Sequence, residues 1–295
     1  VSAKQRLTIA LPFHRRLDYL RVALDSVLAQ QRPDWRLLVI DDADDEAEVE
    51  ALVRSYADAR LAYRRNPRSL GMVSAWNHCL DLAETELVTL LHADDRLLPD
   101  YAGLMLELAD RFPGAAALCC EASIIDAAGR PSFSLPDRLK PFFRPRGDPL
   151  VLRGESGLRA LMAGNFIMCP TLCYRRSVIG ARRFSEDWNQ VQDLEFTSRL
   201  LLEDESIVCS RRIAYAYRRH PEAATAIQSE SRLRFDEEHR LFARVAERAS
   251  QRGWTHAARV ARGKRIVRLH LLYRASRELI RLRPRRALGW LRLLR

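Results

Sequence analysis

Two short acidic clusters are where this sequence could do chemistry. His92-Ala93-Asp94-Asp95 follows directly on an apolar run at residues 87–91. Adjacent carboxylates repel each other, and burying such a pair pushes one of them toward protonation. A divalent cation removes that penalty. Magnesium or manganese takes one or two carboxylates and completes its shell from water and phosphate oxygens. The same residues also suit an exposed turn, with an acid capping a helix that begins near residues 99–101. Position alone leaves the two readings level. The second cluster, Asp41-Asp42-Ala43-Asp44-Asp45, follows the apolar run 36–40. A carboxylate there could accept hydrogen bonds from a nucleobase N–H or from ribose hydroxyls, as acids do at the ends of parallel strands. It could equally be a solvated loop opening a helix, where the dipole favours acids.

Strand and helix periods alternate around these clusters. Residues 7–11 form a buried strand ended by Pro12, and Leu20, Ala23, Leu24, Val27 and Leu28 recur at helical spacing. Strands follow at 36–40, 61–64, 87–91 and 115–120, with helices at 47–56, 70–82 and 101–112 between them. A β-α-β-α-β order implies an α/β fold, with a mostly parallel sheet and helices on both faces. Ligands of such sheets bind beyond the carboxyl ends of the strands, where both acidic clusters fall. Residues 131–149 hold five of the thirteen prolines and read as a long functional loop. A helix is expected at 154–163, an extended apolar segment at 165–174, a helix at 194–202 and a strand at 207–217. Beyond residue 232 only helices are expected.

Taken in order, these pieces resemble the inverting family 2 glycosyltransferases of the GT-A fold, of the kind that build bacterial polysaccharides and lipid-linked glycans. The first strand followed by Pro12-Phe13-His14 resembles that family's opening. Val39-Ile40-Asp41-Asp42-Ala43-Asp44 resembles its V-D-D-G-S turn. Asn66 to Gly71 and on to Ala75-Trp76-Asn77 resembles its N-x-G…A-x-N helix entry, and His92-Ala93-Asp94-Asp95 its D-x-D-D motif. The match covers roughly residues 5–220, and the ordered set is specific although each piece alone is weak.

The resemblance implies roles. Pro12 and Phe13 would lie beside the base, which Asp42 would hydrogen-bond, and Asn77 would belong to the same nucleotide-sugar site. Asp94 would contact the ribose or the metal shell, and Asp95 would bind the metal. Gln192-Asp193-Leu194-Glu195-Phe196 is similar to the family's segment carrying the general base, which implies that role for Asp193. Inverting transfer is a single displacement, so a base must take the acceptor's proton opposite the leaving diphosphate. Without that context Asp193 would read as a helix cap. Tyr217-Arg218-Arg219-His220 resembles the family's Y-R-x-H loop. His220 would complete the metal site through a neutral imidazole, and Arg218 would suit diphosphate oxygens. A plain basic surface turn before Pro221 is the simpler alternative. Three positions depart from the pattern: His92 for the first aspartate, Ala43 for glycine and Gln192 for glutamate. Residues 165–170 could wall an acceptor site or be plain core. His14, His78 and His256 read as ordinary polar or capping residues.

Composition bounds the alternatives. The 295 residues carry a formal charge of +11. Residues 251–295 hold 14 Lys+Arg against the single acid Glu278, a net of +13, while the remaining 250 residues carry 35 basic and 37 acidic groups, a net of −2. A basic tail on a neutral body points to an anionic membrane surface, and no nucleic-acid partner is expected. Ile266, Leu269, Tyr273 and Ile280 fall on one helical face, with arginines on others. This suits an interfacial helix or a packed cap with a solvated basic face. The division expected is a GT-A domain at 1–230, nucleotide-binding to residue 100 and acceptor-binding beyond it, and a basic amphipathic helical tail at 231–295. Six cysteines without a C-x-x-C pair read as reduced core residues. With no leader-like segment and no apolar run of about 18 residues, a cytoplasmic protein is expected, peripheral on the inner face of the plasma membrane. The implied partners are a nucleoside-diphosphate sugar, UDP-linked first, and a glycan or lipid-linked acceptor, with magnesium or manganese as cofactor. Nucleotidyltransferases and dinucleotide oxidoreductases are disfavoured, because the turn after the first strand, Pro12 to Arg16, has no glycine. A catalytically degenerate relative, or a protein binding nucleic acid or membrane through the tail, is the other reading.

Overall fold

The computed structural model describes residues 5–42, 47–133, 142–223 and 233–294. Ala43, Asp44 and Asp45, part of the 131–149 loop and the proposed boundary at 230 lie outside the described residues. The chain opens with β1 (Leu7–Phe13), α1 (Leu17–Leu28), β2 (Trp35–Asp41), α2 (Ala47–Ser55), β3 (Leu61–Arg65), α3 (Met72–Leu82) and β4 (Leu87–Leu90). β5 (Arg96–Leu97), α4 (Tyr101–Arg111), β6 (Ala115–Ile125), β7 (Leu150–Arg153), α5 (Gly154–Gly164) and β8 (Cys173–Arg175) follow. Next come α6 (Arg176–Ile179), α7 (Gln192–Leu202) and β9 (Ser206–Arg218). α8 (Leu233–Gln251), α9 (Thr255–Gly263), α10 (Arg265–Ile280) and α11 (Pro284–Leu291) close the described chain.

One sheet runs β3-β2-β1-β4-β8-β6-β9-β5, with β7 also paired to β9. The α/β class holds, but the parallel pairing is concentrated in the first half. β3, β2, β1 and β4 are mutually parallel, as are β6 and β9, whereas β8 pairs antiparallel with both β4 and β6. β5 and β7 add antiparallel edges to β9. A short strand such as β8 inserted between two longer ones needs no crossover helix, so it can run either way.

β1 extends two residues past the expected end, through Pro12 to Phe13, in register with Ile40 and Asp41. The reason lies in the direction of its polar groups. Ala10 accepts from Leu91 N (2.9 Å), so even-numbered residues of β1 turn their backbone toward β4. Pairing with β4 ends at Ala10–Leu90, so the N–H that Pro12 lacks would have had no partner.

Alternation sends each strand's side chains to two cores. Leu7, Ile9, Leu11 and Phe13 pack with Leu20, Leu24 and Val27 of α1 and with Tyr101, Leu104 and Leu108 of α4. Ala10, Ile40, Val88 and Leu90 face α3, α5, α7 and the tail. Phe235, Leu241, Phe242, Val245, Ala246 and Ala249 of α8 belong to that second core, so the first tail helix is part of the body. α10 turns Val267, Leu271 and Ala275 inward, and of the apolar set named from sequence Ile266 is partly buried against the same core. Leu269 and Ile280 of that set stay exposed, because the helix carries a second apolar stripe that also satisfies a 3.6 period. Residues 165–174 are not simply extended, since Cys169–Thr171 forms a 3₁₀ turn before β8. All six cysteines are free and five are buried. Burial pushes the Cys173 thiol up to about 12 and those of Cys79 and Cys120 higher still, which leaves them inert.

Candidate active site

β2 ends in two acids with separate tasks. Asp41 is fully buried and accepts from Tyr63 OH (2.7 Å) on β3. Asp42 organises the next loop. One carboxylate oxygen accepts from Asn66 Nδ2 (2.7 Å) and Leu70 N (2.8 Å), the other from Ser69 Oγ (3.2 Å) and Gly71 N (3.1 Å). Gly71 caps α3 at φ 80°, a region that disfavours a side chain, and this turns its N–H to the acid. The Asp42 carboxylate therefore faces the loop that opens α3. Phe13 likewise lies wholly within the core on the α1 side. Pro12, only partly buried, is the member of that pair at the open edge of the sheet.

The second acidic turn lies beyond β4, two strands from β2 and thus about 10 Å away. The turn is tight, with Asp95 N donating to His92 O (3.0 Å). Asp95 is wholly buried, and both of its oxygens are engaged by β9: Oδ1 by Arg218 N (2.7 Å) and Oδ2 by Tyr215 OH (2.9 Å). Burial, reinforced by the charge of Asp94, holds the Asp95 carboxyl well above the usual carboxylate range. Asp94 goes the other way. Burial alone would raise it, but the hydrogen bond from His220, with the two imidazoles close by, outweighs burial and lowers it. His220 Nε2 meets Asp94 Oδ2 at 3.0 Å, and its ring stands edge-on to Tyr19 (5.2 Å). Burial keeps His92 below its ordinary value and hence neutral.

Arg218 bolts the acidic turn to β9. Its guanidinium is buried, with Nε donating to Asp94 O (2.6 Å) and Nη1 to Asp126 O (3.2 Å) and Ala127 O (3.0 Å), and it lies over the Tyr19 ring (4.5 Å). Asn77 is also spoken for. Its amide donates to Phe184 O (2.9 Å) and accepts from Phe184 N (2.9 Å), which fastens α3 to the segment before α7.

Asp193 sits in the first turn of α7, partly buried, with Thr197 Oγ1 donating to its backbone carbonyl (2.8 Å). Its charge helps raise the buried Tyr174 hydroxyl and the Glu238 carboxyl, although burial is the larger cause in both. Glu238 thus supplies from α8 an acidic neighbour that Gln192 does not. The adjacent Glu237, 1 % exposed, accepts from Asn189 N (3.1 Å) and Gln190 N (2.8 Å) and pins the loop that leads into α7. Glu237→Ala orphans these donors, at a cost of about 2–4 kcal/mol. The variant is expected to melt roughly 4–12 °C lower, as a thermal unfolding scan will check.

Rings connect the two regions. His92 stacks on Trp76 (5.3 Å), Trp76 meets Phe184 edge-on (5.3 Å), and Phe184 contacts Phe196 of α7 (4.6 Å). Hydrogen bonds therefore join Asp94, Asp95, Arg218 and His220 directly, and packed rings carry that cluster to the helix bearing Asp193. Tyr215, Tyr19, Glu237 and Glu238 were not singled out from sequence. Trp76 was quoted only as part of a motif, although a tryptophan inside the Ala75-Trp76-Asn77 triplet was a signal of packing at that spot.

His92, Asp94 and Asp95 each place a ligand atom within 4.8 Å of the other two. His92 Nε2 and His220 Nδ1 are buried without a partner. Such a mixed imidazole and carboxylate set fits manganese better than magnesium, which prefers oxygen alone.

A sheet whose parallel half ends in two acidic turns, with helices on both faces, is the GT-A architecture. The model of "Glycosyl transferase family 2" matches residues 8–171, and the chain belongs to that family. Asp193 and His220 lie beyond the matched segment. An uncharacterized protein of Mycobacterium tuberculosis is 29 % identical over 238 residues, which is 75 % of this chain and 69 % of the relative. The structure of S. aureus TarS in complex with UDP-GlcNAc superposes with TM-score 0.63 at 16 % identity and covers 83 % of this chain. This chain spans only 66 % of that structure's length. The mannosyltransferase PcManGT from Pyrobaculum calidifontis, in complex with GDP-Man and Mn2+, gives TM-score 0.63 at 14 % identity, over 99 % of this chain and 86 % of its own.

Proposed function

We propose that this chain is an inverting glycosyltransferase that moves a sugar from a nucleoside diphosphate to a hydroxyl of a glycan or lipid-linked acceptor. The observation that carries the reading is the ring series His92–Trp76–Phe184–Phe196, which ties the acidic turn to the helix bearing Asp193. Family membership and the two solved neighbours, one bound to UDP-GlcNAc and one to GDP-Man with Mn2+, support a nucleotide-sugar donor.

His92, Asp94 and Asp95, with His220 beside Asp94, are the residues that would hold a divalent cation. When bound, such an ion neutralises charge on a departing diphosphate. Asp95 holds the turn in shape through Arg218 and Tyr215. Pro12 offers an apolar edge to a base. Asp193 accepts the proton of the acceptor hydroxyl as that oxygen bonds to the anomeric carbon and the bond to the diphosphate oxygen breaks on the opposite face.

Calorimetry of the whole chain with UDP-, GDP- and dTDP-sugars, each with and without manganese, tests the donor half. Binding of at least one that strengthens with manganese is the expected result. Indifference to all three in both conditions refutes it.

A further inference from the structure

α10 carries a second apolar surface outside its buried face. At about 100° per residue, Val267, Leu271 and Ala275 point into the body, Leu269 and Ile280 point nearly the other way, and Leu272 and Leu279 lie on the flank between them. These four are exposed, Ile280 to 81 %, and the stripe continues into Leu282 at 88 % and Leu288 on α11. Single exposed leucines are ordinary; a continuous row of six is an interaction surface. The row is presented rigidly. Trp290 of α11 packs on Phe235 of α8 (5.4 Å), Arg274 lies over the same indole (5.0 Å), and Ala287 is buried.

The charges around the row select the partner. Arg265, Arg268, Arg281, Arg283, Arg285 and Arg286 are all exposed along these two helices. Glu278, the sole acid beyond residue 250, is buried on the opposite side. The face thus combines aliphatic side chains with cations and offers no anion. A second copy of the same face would set arginine against arginine with nothing to answer it. A bilayer rich in anionic lipid supplies both missing counterparts, acyl chains for the leucines and phosphates for the arginines. No described helix is long and apolar enough to cross a membrane, so α10 would lie in the plane of the surface.

We infer that the outer face of α10 and α11 docks this protein on an anionic membrane. The test is flotation of the whole chain with phosphatidylcholine vesicles, with and without phosphatidylglycerol. The wild type is expected to float with the anionic vesicles and at least about tenfold less with the neutral ones. Leu272→Ser/Leu279→Ser/Ile280→Ser, all at exposed positions, is expected to bind at least about tenfold more weakly with an unchanged circular dichroism spectrum. Arg281→Gln/Arg285→Gln/Arg286→Gln is expected to weaken binding mainly at low salt. Failure of the wild type to float with anionic vesicles overturns the proposal, as does equal flotation of both variants. Light scattering that finds a dimer which the leucine variant dissociates assigns the face to a second copy and equally overturns it.

Discussion

Asp193→Asn is expected to lower turnover by roughly 10²–10⁴-fold while the donor binds as before. Asparagine keeps the shape of the side chain and the Thr197 contact, which uses the backbone carbonyl, so α7 should start in the same place. What it cannot do is accept a proton. The proposed donor site is the sheet edge beyond β1 and β4, and the helix bearing Asp193 is reached from that edge through the Trp76, Phe184 and Phe196 rings. Calorimetric donor affinity should therefore match the wild type, and single-turnover transfer should collapse. A variant that turns over at the wild-type rate removes Asp193 from the chemistry, whatever the donor data show.

The second large effect separates the two adjacent acids. Asp94→Asn is expected to leave the fold intact and to abolish the proposed gain in nucleotide affinity with manganese, because a carboxylate oxygen beside His220 becomes a neutral amide. Asp95→Ala does something else. It strips partners from Arg218 N and Tyr215 OH inside the protein, at about 1–3 kcal/mol for each orphaned group. Its melting temperature should fall by roughly 5–15 °C. Asp95→Asn should not show that fall. An amide oxygen still accepts from Arg218 N, and a phenol can accept as well as donate. The pH dependence follows from the raised Asp95 carboxyl. Folding favours its protonated form, so this contribution is complete below about pH 4, the unfolded value, and is lost as the pH rises through the folded value. In metal-free buffer, Asp95→Asn should gain stability relative to wild type as the pH is raised. Melting curves of the three variants across pH, read beside manganese titrations, decide which acid shapes the turn and which meets the ligand.

The strand ends were legible in the sequence because long apolar runs stop abruptly at acids, and a parallel sheet gathers such ends on one edge. β2 and β4 both end as their patterns imply, and α1, α3 and α7 follow the helical spacing of their leucines. What pattern could not give was direction within a turn. Asp94 and Asp95 are neighbours in sequence, yet one is clasped by β9 and the other meets His220. Asn77, Phe13 and Arg218 looked like ligands because of where they stand in motifs. The fold uses each of them as well, with Asn77 bonded to Phe184 107 positions away and Arg218 to Asp94 124 positions away. Glu237 carried no motif at all, because a loop anchor is defined by two backbone N–H groups 47 and 48 residues upstream. The tail stayed open between two readings for another reason. Two apolar stripes share one helix, and periodicity alone cannot rank them.

Arg218 and Tyr215 reach back more than a hundred residues to clasp Asp95. A nascent chain halted just after β4 would own both acidic turns and yet leave Asp95 without its clasp. Contacts this far apart in sequence form slowly and raise contact order. Competence to bind nucleotide should thus arrive as a late step of biogenesis, once β9 has emerged and threaded in beside β6. Ribosome-stalled chains of increasing length, probed by pulsed hydrogen exchange at residues 92–95, should show protection appearing only after residue 218 has cleared the exit tunnel.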